Sequence, residues 1–90
     1  MKSDISKILI RPPAANIILS IFNAKERTFS LRISNKINVT YSHVTKLLNV
    51  MKKAGLIIST LEGRNKYLFL TEKGNNVANL ILALREQLTI

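Results

Sequence analysis

Ser42, Thr45, Lys46, Asn49 and Lys53 place hydroxyl, amide and ammonium groups along one side of a helical stretch. A helix advances about 100° per residue, so the apolar Val44, Leu47, Leu48 and Met51 fall on the opposite side. Groups of this kind recognise rather than catalyse: an amide can pair with adenine, an ammonium with guanine or phosphate. Cations gather around the same stretch. From Arg27 to Lys66 the chain carries Arg27, Arg32, Lys36, Lys46, Lys52, Lys53, Arg64 and Lys66 against one acid, Glu62. The formal charge is +9, from 14 basic and 5 acidic residues, and its excess sits in mid-chain rather than on a tail. That placement implies a polyanionic partner. A solvated polar face is the plainer reading of any surface helix, and the charge raises double-stranded DNA above it.

Other chemistries find no residues to carry them. Asp4, Glu26, Glu62, Glu72 and Glu86 are dispersed, with no pair on one helix face for metal or acid–base work. There is no cysteine, His43 is the only histidine, and 3 glycines do not make a phosphate-cradling loop. No enzyme activity, cofactor or metal is expected. The longest purely apolar run, Leu80 to Leu84, is far too short to span a membrane. The first residues do not lead into a signal-peptide core. The expectation is therefore one soluble domain of 90 residues, cytoplasmic and nucleoid-associated, with 47% apolar residues for a modest core.

The polar face must be positioned by the stretch from Ser30 to Gly55, which reads as two short helices joined by a tight turn. Ser30 is the expected N-cap of the first, with Ile33 and Ile37 on one face. Asn38 tolerates the left-handed conformation needed to leave that helix sharply. Thr40 caps the second helix and Gly55 ends it. Upstream, residues 1–13 read equally as a short helix or an extended arm, broken by Arg11-Pro12-Pro13. Ala14 to about Lys25 is a helix whose Ile17, Ile18, Leu19, Ile21 and Phe22 cover more than half its circumference, so it is expected to be buried on two sides. Glu26 to Phe29 is a link with room for an isolated strand pair. Downstream, Leu56–Leu61 and Lys66–Leu70 flank Glu62-Gly63-Arg64-Asn65, the pattern of a β-hairpin with Leu61 near Lys66 and Leu56 near Thr71. A last helix follows from its N-cap Thr71 to about Leu88, with Val77, Leu80, Ile81, Leu84 and Leu88 as the apolar stripe and Ala78, Leu82 and Ala83 off it.

The central stretch resembles the helix-turn-helix of DNA-binding proteins. Apolar residues stand at Ile33, Ile37, Val39, Val44 and Leu47, a small one at Ser34, and Asn38 replaces the usual turn glycine. Over residues 14–88 the chain is similar to winged helix-turn-helix domains of the MarR and ArsR type. Met51-Lys52-Lys53-Ala54-Gly55-Leu56-Ile57 matches the phrase that opens the wing, and Leu70-Thr71-Glu72-Lys73-Gly74 the phrase that closes it. The resemblance implies a mainly α fold with a small β-hairpin (α+β) in one domain of residues 1–90: helix-turn-helix at 30–55, wing at 56–71, last helix at 71–88. It also implies a basic wing tip in the minor groove, here Arg64. Ligand- or metal-binding residues of some family members have no counterparts.

From these patterns Ser42, Thr45, Lys46 and Asn49 are base-edge candidates, because the first turns of such a helix meet the major groove. Lys53, Arg32, Lys36, Tyr41, Asn65 and Lys66 are expected near phosphates, and the helix start capped by Thr40 attracts phosphate as well. His43 lies a quarter turn from both faces, so phosphate contact and packing beside the stripe are both open. Surplus apolar surface on the two outer helices suggests a homodimer through Ile18, Leu19, Ala78 and Leu82. The functions that fit, in order, are a sequence-specific transcription regulator, an architectural DNA binder with little sequence preference, and a winged-helix module that binds an acidic protein.

Overall fold

The computed structural model describes residues 11–88. The stretch 1–10, read above as helix or arm, lies outside the described residues. In chain order come α1 (Pro12–Phe22), α2 (Ser30–Ile37), α3 (Tyr41–Lys53), β1 (Ile57–Glu62), β2 (Asn65–Leu70) and α4 (Glu72–Leu88). The fold is α+β, four helices with one antiparallel hairpin among the described residues.

Helix α1 begins where its prolines allow. Pro12 and Pro13 occupy the first helical positions, where an N–H has no helical partner to lose. It ends at Phe22, earlier than the apolar pattern suggests, because the chain must turn to bring Thr28 against the wing. There the Leu68 N–H donates to the Thr28 carbonyl at 2.9 Å, adding a single bridge to the outer side of β2. The hairpin register pairs Leu61 with Lys66 and Ile57 with Leu70, and the Thr71 N–H donates to the Leu56 carbonyl at 3.0 Å, as the alternation of the two arms requires.

The core is assembled around α1, which packs against α2, α3, β2 and α4. Ile17 and Ile18 of α1 meet Ile33, Val44, Met51, Leu56 and Ile57, all fully buried. Each such side chain contributes roughly 1.5–3 kcal/mol through removal of apolar surface from water. This corrects the expected dimer surface. Ile18 and Ala78 are wholly buried and Leu19 nearly so, inside the chain itself, while Leu82 is half-buried against the core. The breadth of the apolar face of α1 is used up by its many neighbours within one chain.

Helix α4 is rotated relative to the expected stripe. Gly74 and Ala78 face inward, with Val77, Ile81 and Leu82 packed partly against the core, whereas Leu80, Leu84 and Leu88 are 69%, 54% and 71% exposed. The reason is a close approach. Gly74 sits so near the Leu56 backbone that a Cβ there would overlap the Leu56 carbonyl oxygen. Only glycine permits that contact, and it fixes which side of α4 points in. Thr71 locks the same junction. Its hydroxyl accepts from the Gly74 N–H at 3.0 Å, as an N-cap, and donates to the Gly55 carbonyl at 2.6 Å. Lys73 donates to the Ala54 carbonyl at 2.9 Å, satisfying the end of α3.

Gly74→Ala is therefore expected to cost about 3 kcal/mol or more, since the clash is with backbone that cannot swing aside. Gly55→Ala meets open space and only the positive φ of +78°, so it should cost about 1–2 kcal/mol. Chemical denaturation of the two variants checks the order.

Candidate nucleic-acid interface

The turn between α2 and α3 is built on Asn38, which adopts φ 58° and ψ 48° in the left-handed region. Ser34 is buried at the helix contact and its hydroxyl donates to the Leu31 carbonyl at 2.9 Å. Ser30 is not the cap of α2. Phe29 occupies that position in an extended conformation with no side-chain cap bond, and Ser30 is already helical. Thr40 does cap α3: its hydroxyl accepts from the His43 N–H at 3.3 Å.

Alongside α3 the wing encloses a groove of about 320 Å³. Tyr41, Thr45, Asn49 and Lys52, one helical turn apart, line it from α3, Arg64, Asn65 and Lys66 from the wing, and Leu31 from α2. Among the described residues, no acidic side chain lines it. Partial burial first, and the neighbouring Lys66 ammonium second, push Lys52 below the usual lysine range. The two ammonium groups thus stand close enough for like charge to disfavour the protonated form of Lys52. Lys52 belonged to the mid-chain charge excess but not to the expected contacts. Its spacing three residues after Asn49 and seven after Thr45 is the signal that places it on the groove.

The remaining expected contacts divide. Ser42, His43, Lys46 and Lys53 are exposed on the outer flank of α3, so His43 does not pack beside the stripe. The Thr45 hydroxyl donates to the Tyr41 carbonyl at 2.8 Å. Arg64 follows Gly63 at the tip of the hairpin, where Gly63 has φ +61°. Arg32 and Lys36 do not join this groove. They line a separate depression with α1 and the link. Arg32 is held there over the Phe29 ring at 4.9 Å, by a 3.1 Å bond to the Arg27 carbonyl, and beside Glu26 at 3.9 Å. Arg27 is likewise taken up, ion-paired with Glu62 and stacked over Tyr67 at 5.6 Å. Together with the edge-on contact of Phe29 and Tyr67, these contacts brace the wing against the link.

Comparison with solved structures identifies this arrangement. A crystal structure of a protein from Archaeoglobus fulgidus superposes with TM-score 0.84 over 97% of this chain and 99% of that one, at 24% identity. A possible HxlR-family transcription factor from Thermoplasma volcanium gives 0.83 over 94% and 78%, at 22% identity. The fold is a winged helix-turn-helix. A MepR variant from S. aureus bound to an oligodeoxyribonucleotide shares it at TM-score 0.80 and 15% identity, with the chain spanning 63% of that protein's length. MarR-family structures from Rhodococcus and Bacillus stearothermophilus also match, each at TM-score 0.76. In sequence, an uncharacterized protein of Archaeoglobus fulgidus is 26% identical over 87 residues, 93% of this chain and 92% of its own. No protein-family model matches. Among the described residues of the winged helix, no helix is long and apolar enough to cross a membrane, and no cluster of His, Cys, Asp or Glu could hold a metal ion.

The repulsion between Lys52 and Lys66 is present while both are charged, and it is lost as pH rises through the folded-state pKa of Lys52. At neutral pH Lys52→Met should leave the melting temperature unchanged or raise it, which calorimetry of the two chains checks.

Proposed function

We propose that this chain is a DNA-binding transcription regulator that acts as a homodimer, with α3 in the major groove and the wing at the adjoining minor groove. The observation that carries this reading is the groove between α3 and the wing, lined by Lys52, Arg64 and Lys66 and, among the described residues, by no acidic side chain. A duplex supplies the missing anions in a fixed geometry. Ser42, Thr45, Lys46 and Asn49 then lie toward base edges. Tyr41, His43, Lys53 and Lys66, with the α3 start at Thr40, lie toward phosphates. Arg64 at the tip suits a narrow, A·T-rich minor groove. That a MepR variant of the same fold is bound to an oligodeoxyribonucleotide supports the DNA-binding reading.

Affinity should fall with salt at a log–log slope on the order of −7 to −11 for a dimer with four to six phosphate contacts per subunit. Asn49→Ala should cost about 1–3 kcal/mol on the preferred site and little on random DNA, whereas Lys53→Ala should weaken both alike. Equal losses on both duplexes would leave an architectural binder. A slope near zero would remove the nucleic-acid reading.

The homodimer is supported by Leu80, Leu84 and Leu88, an exposed apolar ridge along α4. Leu84→Glu should yield monomers in sedimentation without loss of helix content, and should weaken binding to a two-half-site duplex. A wild-type chain that is monomeric at micromolar concentration would refute the dimer.

A further inference from the structure

The groove beside α3 is not lined as a purely electrostatic cradle would be. Leu31 is 52% exposed and Tyr41 is 55% exposed, and both face it. Thr45 stands one turn beyond Tyr41 with its hydroxyl turned back to the Tyr41 carbonyl, so its methyl group is free to face outward. Asn49, the next residue along the same line, is exposed. Apolar groups left in water at the mouth of a cationic groove gain nothing from phosphate. The apolar feature that a DNA major groove presents is the C5-methyl group of thymine, and the base paired with thymine is the one an asparagine amide reads in bidentate fashion.

We propose that Leu31, Tyr41 and the Thr45 methyl group form a thymine-methyl site, adjacent to Asn49, that biases the protein toward A·T pairs. This rests on the DNA-binding function proposed above and names the base that function selects. The cationic rim of Arg64 and Lys66 holds the duplex against the patch, and the patch supplies the discrimination that charge alone does not. Tyr41 serves both ends: its ring lies toward the methyl group while its hydroxyl lies toward a phosphate.

The test uses the full chain and a duplex selected as the best binder from a random pool. Thymines are replaced one at a time by deoxyuridine, which keeps base pairing and removes only the methyl group. At one or more positions the wild type should bind the deoxyuridine duplex about fourfold more weakly, the effect of one buried methyl. Leu31→Ala or Tyr41→Ala should bring that ratio close to one. Both side chains are exposed, and circular dichroism verifies that each variant is folded. A drop in the ratio for either variant supports the site. A wild-type ratio of one at every thymine, or a ratio unchanged in both variants, overturns it while leaving DNA binding intact. Failure to select any duplex overturns the DNA-binding function and this site with it.

Discussion

The junction of Gly74 with the Leu56 backbone is the constraint on which the rest of the winged helix depends. It is a contact of main chain with main chain, closer than any side chain would allow. Thr71 and Lys73 secure it by bonding to three successive carbonyls, those of Ala54, Gly55 and Leu56. These are the groups exposed where α3 ends and β1 begins. Two short phrases far apart in the chain are thereby clamped together, and the end of α3, the root of the wing and the start of α4 become one rigid unit. The angle between α3 and the wing, which determines the shape of the groove, follows from that clamp.

At its far end the wing is held differently. Arg27 bridges Glu62 and the Tyr67 ring, and Phe29 meets the same ring edge-on. Exposed ion pairs of this kind contribute little singly, but here they are combined with an aromatic contact and the Thr28–Leu68 bridge. The sole acid of the central stretch is neutralised by this brace. Among the described residues, cations are the only charged groups left in the groove. Stability is located in the clamp and the core.

The apolar ridge of α4 belongs to neither. Its leucines are one turn apart on the side away from the core, while the small residues Gly74 and Ala78 face inward. A helix with apolar groups on two sides satisfies the chain core with one and leaves the other exposed on the surface of the chain. Small residues turn inward because the hairpin backbone comes close, and the larger leucines have no room there.

The sequence by itself determined the order of elements, the turn at Asn38, the caps at Thr40 and Thr71, the stop at Gly55 and the register of the hairpin. All of these follow from local backbone preferences or from a period of two or 3.6 residues that can be counted along the chain. The outward face of α3 was legible for the same reason. Tertiary structure alone decided the rotation of α4, since its apolar residues encircle the helix and only the approach at Gly74 chooses among them. It also decided that Ile18, Leu19 and Ala78 are core, because the burial of α1 depends on how many neighbours reach it. Arg32 and Lys36 were assigned by charge, yet charge does not say which partner a flexible cation finds first. Arg32 finds the Phe29 ring and Glu26. Lys52 is the converse case: its spacing after Thr45 and Asn49 places it on the groove side of α3, but only the folding of the hairpin brings Lys66 beside it, a juxtaposition that no spacing along α3 contains.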